Sequence, residues 1–207
     1  MRPEAQALYE RLFGSKERDA AVADRIPPGQ YRTEKFPVLH YGSIPKTDLK
    51  TWDFKVYGLV DSPFTLTWDQ FKALPRKTVG TDIHCVTRWT KLDTTWEGVP
   101  IQHVLELAQL RPTVSHVVAH SEQGYTANLP IEALEDPDVM IGIEADGAPL
   151  TPEHGYPARL VVPSRYFWKS AKWLRGLEFS DVDKPGFWEG YGYHNDGDPW
   201  REERYGF

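Results

Sequence analysis

The segment Asp82-Ile83-His84-Cys85-Val86-Thr87-Arg88-Trp89 holds the only cysteine of the chain. One thiol excludes an internal disulfide, an all-thiolate zinc site and an iron–sulfur cluster, each of which needs several. Three uses remain. A free cysteine is often a small buried apolar residue. It is a nucleophile when a base stands nearby in space, and His84, His120 and His154 are the candidates. It is also a soft ligand, suited to a polarizable metal and not to magnesium or calcium. Arg88, three residues on, can favour the thiolate that a metal requires, or can be a solvated loop charge.

The histidines do not suggest a local zinc site. His116 and His120 lie in "SHVVAHS", which reads as a strand. Four residues of strand span roughly 13 Å, too far for both rings to reach one ion. His84 and Cys85 are adjacent, so in a strand they point to opposite faces.

A second polar cluster runs from 151 to 174, "TPEHGYPARLVVPSRYFWKSAKWL". His154-Gly155 and Pro157 make a stiff turn that delivers Arg159 at the start of a strand. Ser170, the Ala171 backbone and Lys172 follow in a tight polar stretch. Arginine and lysine converging with a hydroxyl and backbone N–H groups describe a phosphate cradle. A hairpin with ordinary surface basics is the other reading.

The elements that must position these groups are mixed. Ala5, Leu8, Tyr9 and Leu12 recur at helical spacing up to Gly14, and Pro27-Pro28-Gly29 stops anything regular. In "TWDFKVYGLV" the alternation of Trp52, Phe54 and Val56 with polar residues predicts a half-buried strand. "FTLTWDQFKALP" predicts a short strand and a helix, with Thr67 as N-cap and Pro75 as stop. "VGTDIHCV" predicts a strand ending at the cysteine, followed by a polar run to the surface in "TRWTKLDTTW". "WEGVPIQHVLELAQL" predicts a turn and a helix with Ile101, Val104, Leu105 and Leu107 on its apolar side. "VSHVVAHS" reads as a strand, "TANLPIEALED" as carrying a short helix capped near Pro130, and Gly147 as the centre of a hairpin or a strand end. "ARLVVP" and "KWLRGLEFSDV" read as strands, and an ordered coil rich in Gly, Asp, Trp and Tyr follows Pro185. Without a regular βαβ alternation this is an α+β or mixed fold.

The 207 residues, 40% of them apolar, fit one domain with extensions and enough core to exclude a disordered chain. A net charge of −6 gives no general affinity for nucleic acid. No run approaches the roughly 20 apolar residues of a membrane span. The N-terminus shows neither an apolar run nor a twin-arginine pair, so a cytoplasmic location is expected.

The cysteine segment and the 151–174 segment together resemble the molybdopterin domain of the sulfite oxidase superfamily, which includes sulfite oxidases and the catalytic subunit of a periplasmic methionine sulfoxide reductase. "HGYPARLVVPSRYFWKSAKWL" looks like that family's H/N-G-x-P-x-R-L-x-V-P segment with its downstream S/G-x-K, "HCVTRW" like its metal-binding strand end, and "EADGAPLTPEHG" like the hairpin leading into the pterin segment. The likeness covers roughly residues 33 to 183.

The resemblance implies a mixed-sheet α+β domain over 33–184, an N-terminal helix and linker over 1–32, and a packed C-terminal coil over 185–207. It implies a molybdopterin cofactor carrying molybdenum, with Cys85 as metal ligand. Phe36, His40, Ser121, His154, Arg159, Ser170, Ala171 and Lys172 would bind the pterin and its phosphate. Tyr125, in "GYTANLP", matches an active-site tyrosine, and Arg88 joins it as a candidate for the substrate. The implied activity is oxygen-atom transfer on a small sulfite-like or sulfoxide-like molecule.

Val38 and Leu39 stand where sulfite oxidases carry an arginine and an asparagine, which puts sulfite in doubt unless Arg88 or Arg165 substitutes. The family's dimerisation domain and a haem domain have no counterpart, so a monomer with a separate electron-transfer partner is expected. A cysteine hydrolase and a non-catalytic pterin-binding module are the rival readings.

Overall fold

The computed structural model describes residues 21–206. The helix expected over residues 5–14 lies outside them. Among the described residues eleven strands form two sheets.

The first sheet is built around β5 (Trp89–Pro100), which pairs antiparallel with β4 (Lys77–His84) along one edge. Its other edge takes β1 (Tyr31–Arg32) in parallel near its start and β8 (Met140–Ala145) antiparallel near its end. β9 (Ala148–Pro149) and β10 (Arg159–Val161) pair with β8. The second sheet has the order β3 (Phe64–Thr67), β2 (Asp53–Gly58), β11 (Leu174–Ser180), β6 (His116–Ser121), β7 (Thr126–Pro130), with β11 and β2 parallel.

Among the described residues two α-helices, α1 (Trp68–Lys72) and α2 (Ile101–Ala108), join the strands, together with short 3-10 turns. This is the expected α+β class with mixed sheets. The main core takes Phe54, Val56 and Leu177 from the second sheet, Ile141 and Leu160 from the first, and Ile101 and Val104 from α2.

The local chemistry of several elements follows from their residues. Phe54 and Val56 on the inner face of β2 and Trp52 just before it are buried, as the alternation predicts. Thr67 caps α1 with a capping box: its hydroxyl accepts from the Gln70 N–H, and the Gln70 side chain accepts from the Thr67 N–H. Thr67→Ala leaves the Gln70 N–H unpaired and is expected to cost about 1 kcal/mol in urea denaturation, with Thr67→Ser restoring most of it. An unchanged midpoint would show that tertiary packing alone holds this short helix.

Four expectations are corrected. Beyond Arg88 "TRWTKLDTTW" does not run out as a polar loop, and no turn opens the next segment: Trp89–Pro100 is one 12-residue strand, β5. Thr90, Leu92, Thr94 and Trp96 alternate inward. Thr94 can be buried because its hydroxyl donates to the Thr81 carbonyl and accepts from the Trp96 indole. Leu107 is exposed, because the inward stripe of α2 is Ile101, Val104 and Ala108, with Leu105 packed at its side. The short helix expected near Pro130 is a 3-10 helix over Ile131–Leu134 with Pro130 as its N-cap, and the correction is that "TANLP" before it is strand β7. The segment before residue 33 is no plain linker, since Tyr31–Arg32 adds a strand to the first sheet.

Candidate functional site

Cys85 closes β4 at its C-terminal end. Its N–H donates to the Trp89 carbonyl and its carbonyl accepts from the Arg88 N–H, so Cys85–Arg88 is a tight turn. The sulfur is 3.2 Å from the Thr87 hydroxyl. Cys85 is buried and belongs to a small second core with Trp89, Trp96 and Phe167. Burial pushes the thiol pKa up, while the Thr87 hydroxyl and N–H, Arg204 and Lys172 pull the other way.

A cavity of about 380 Å³ opens over this sulfur. One side is the turn itself, Cys85, Val86 and Thr87, with Trp89. A second side comes from the loop before β2, with Phe36, Leu39 and His40. A third comes from the segment around β10 and includes His154, Arg159, Ser170, Ala171 and Lys172. The expected phosphate-cradle residues and the cysteine, some seventy positions apart, therefore share one cavity.

The basic side has the features of an anion site. Arg159 is 1% exposed. Its Nη1 and Nη2 donate to the His154 and Ser170 carbonyls at 2.9 and 2.8 Å, and its guanidinium lies 4.1 Å over the Phe167 ring. Its Nε is buried with no partner among the described residues. Burial lowers its pKa to about 9, so it is charged at neutral pH. Lys172 donates to the Leu39 and Glu153 carbonyls. Burial and the nearby Arg159 lower its pKa to about 7. Two cations held by carbonyls are short of negative charge, and an anionic group in the cavity would supply it.

Gly155 makes the approach possible. Its φ is +113°, and a Cβ there would stand 3.1 Å from that of Lys172 and 3.2 Å from that of Arg159. The Ser170 hydroxyl accepts from the Val162 N–H, which ties the cradle to the end of β10.

The aromatic and imidazole groups have defined partners. Phe36 stacks on His154 with ring centroids 4.0 Å apart. Thr151 and the Phe36 carbonyl engage the two nitrogens of His154 at 2.9 and 3.2 Å. Burial lowers the His154 pKa and keeps its ring neutral at pH 7. The His40 ring faces the edge of Trp173. Tyr125 donates to the Trp168 carbonyl at 2.7 Å, and burial raises its pKa, so it is a neutral donor.

Three expected groups lie elsewhere. Arg88 is exposed and is not on the cavity wall. It takes a left-handed φ of 79° at the end of the turn, and its guanidinium approaches Gly29 instead. Ser121 is buried at the end of β6 and does not line the cavity, although Glu122 and Gln123 after it do. Arg165 pairs with Asp196 at 2.7 Å and is also off the wall.

Sequence reasoning missed the fourth side, where Tyr41, Phe187, Trp188 and Tyr193 join Tyr125 and Trp168. Trp188 stacks on Tyr193 at 5.0 Å and meets Phe187 edge-on at 5.2 Å. The abundance of Trp and Tyr after Pro185 was the available signal. Thr87, Gln30 and Arg204, which hold the cysteine turn, carried none.

The hydrolase reading loses its bases. His84 is buried and bonded to Thr90, and burial lowers its pKa to about 4. His120 pairs with Glu178 in the second sheet, and both nitrogens of His154 are engaged.

A buried thiol and two carbonyl-held cations around one cavity are groups that an anionic cofactor with a thiolate-accepting metal would need. The chain belongs to the family of oxidoreductase molybdopterin binding domains, whose model matches residues 41–188. It is 45% identical over 195 residues to the uncharacterized oxidoreductase YuiH of Bacillus subtilis (strain 168), covering 94% of this chain and 98% of that protein. It is 26% identical to the putative protein-methionine-sulfoxide reductase subunit YedZ1 of Azospira oryzae, over 82% of this chain and 65% of that one. The solved sulfane dehydrogenase SoxCD of Paracoccus pantotrophus matches with a TM-score of 0.63 and 26% identity, over 69% of this chain and 41% of that one. The domain is therefore a molybdopterin-binding oxidoreductase domain, and its cofactor is molybdopterin with molybdenum. Among the described residues no helix is long and apolar enough to cross a membrane.

Proposed function

We propose that Cys85 is the protein's ligand of molybdenum and that the chain carries out oxygen-atom transfer on a small neutral substrate, sulfoxide-like in preference to sulfite. The observation that carries this is Cys85 lining the same cavity as a buried arginine and a half-buried lysine that, among the described residues, have no carboxylate partner. Among the described residues no three His, Cys, Asp or Glu side chains gather around a metal position, so the remaining ligands come from the cofactor. When bound, that cofactor supplies a two-electron centre for oxygen-atom transfer.

The chain's own groups then divide the work. Arg159, through its free Nε, and Lys172 hold the cofactor's phosphate. The Ala171 backbone and Ser170 close the cradle, while Phe36, His40 and His154 enclose the pterin with one hydrophobic and two polar edges. Tyr125 stays protonated and can turn its hydroxyl from the Trp168 carbonyl to a substrate oxygen. The wall of Phe187, Trp188 and Tyr193 excludes water and packs the apolar part of the substrate.

The preference for a neutral substrate rests on charge. Arg88 and Arg165 are off the wall, Glu122 is engaged by Arg175, and the two lining cations serve the phosphate. Reducing a sulfoxide to a sulfide and water takes two electrons and two protons, and the electrons come from a separate donor protein.

Protein made in a host that builds the cofactor is expected to carry about one molybdenum per chain. With a reduced dye as donor, alkyl or aryl sulfoxides are expected to reoxidise it, and sulfite is expected not to reduce the oxidised dye. Rapid sulfite oxidation without sulfoxide turnover would reverse the assignment. Loaded protein inert to both would favour the non-catalytic module.

A further inference from the structure

The turn that presents Cys85 is braced from outside by groups distant in the chain. Gln30 Nε2 donates to the Cys85 carbonyl at 3.1 Å. Arg204 Nη1 donates to the Val86 carbonyl at 2.8 Å, and its Nη2 reaches the Pro28 carbonyl at 3.3 Å. Arg204 is 6% exposed and lies 4.9 Å over the Tyr166 ring. Its carboxylate neighbour, Glu202, is 3.8 Å away and half exposed, too loose a contact to explain burying a guanidinium.

The Val86 carbonyl and the Thr87 N–H belong to one peptide group. That group is planar and trans, so its C=O and N–H point in opposite directions. Holding the carbonyl on the Arg204 side fixes the plane of this peptide and with it the direction in which Thr87 leaves the turn. The Thr87 hydroxyl, carried on that peptide, approaches the Cys85 sulfur at 3.2 Å.

We propose that Arg204 is a positioning residue that sets the hydrogen bonding of the Cys85 sulfur through the Val86–Thr87 peptide. This rests on the reading of Cys85 as the molybdenum ligand. Donors to a coordinating sulfur withdraw charge from it and tune the metal, as partners of metal ligands do generally. Arg204 touches neither substrate nor cofactor, since it does not line the cavity. Its effect passes through one peptide.

The test compares wild type with Arg204→Met, which keeps an apolar stem on Tyr166, and with Arg204→Lys, which keeps the charge but replaces the fork by a point donor. Molybdenum content, the sulfur-to-molybdenum absorption band and the midpoint potential are read on loaded protein. Arg204→Met is expected to fold and to load molybdenum near the wild-type ratio. Its absorption band should move and its potential fall, changing the oxidised-to-reduced ratio at fixed potential by about tenfold, the size of one lost hydrogen bond to a charged group. Arg204→Lys should lie between the two.

A wild-type band and potential in Arg204→Met overturns the inference. If that variant does not fold, an unshifted Arg204→Lys overturns it instead. Wild-type protein without molybdenum would overturn the reading of Cys85 and this inference with it. A loaded wild type beside unshifted variants overturns the inference alone.

Discussion

Replacing Cys85 by alanine is expected to abolish turnover while leaving a folded protein that still takes up the pterin. The site separates these two tasks. On the proposed assignment the sulfur is the chain's contribution to the metal, whereas the phosphate is gripped by Arg159 and Lys172 on another side of the cavity. Losing the sulfur should therefore cost more activity than the roughly 10–100-fold typical of removing an outer partner of a metal ligand. Its packing role is small. The residue ends a strand, and alanine removes one atom from a small cluster, a loss of about 1 kcal/mol. Three measurements together decide the case: dye-coupled turnover, pterin fluorescence after denaturation, and the thermal midpoint. Unchanged turnover would remove Cys85 as ligand. A collapse of the midpoint with wild-type turnover in the folded fraction would return it to the status of a buried apolar residue.

How this site could be seen in the sequence depended on the kind of signal each residue carried. The convergence of Arg159, Ser170 and Lys172 near Gly155 was legible because these residues lie close together in sequence. The link to Cys85 came only through resemblance, since no periodicity connects positions seventy residues apart. Arg88 misled because sequence proximity to a thiol says nothing about side-chain direction, and the turn rotates that residue into a left-handed conformation. The cations that act on the sulfur are Arg204 and Lys172, both remote in sequence.

The fold shows the same division. β2 and α1 were legible because their apolar alternation and cap chemistry are local. β5 was hidden because threonine counts as polar in a pattern, yet Thr90 and Thr94 are buried with their hydroxyls bonded to His84 and to Thr81 and Trp96. Hydrogen-bonded threonines alternate as faithfully as valines, but only the partner strand reveals it.

The largest loss of stability is expected at a residue that no motif marked. Lys169 is fully buried and pairs with Glu189 at 2.6 Å. Its ammonium also donates to the Asn128 carbonyl and side-chain oxygen and to the Asn195 carbonyl. One cation thus joins β7 to two points of the segment after Pro185. Glu189 accepts from the Trp168 indole in addition, so the pair underlies the aromatic wall. Lys169→Met leaves the Glu189 carboxylate buried beside a single neutral donor. Removing one partner of a buried pair costs about 3–5 kcal/mol, whereas replacing both by apolar groups is often close to neutral. Urea denaturation should show that loss in Lys169→Met, with a thermal midpoint lower by roughly 10 °C for a chain of this size. Lys169→Met combined with Glu189→Met should regain much of it. The two double-variant outcomes separate stability from catalysis. If the double variant is stable but turns over sulfoxides poorly, the pair matters for aiming Trp168 at the cavity. If single and double variants are equally unstable, the hydrogen bonds of Lys169 to Asn128 and Asn195 hold this segment, and the ion pair adds little.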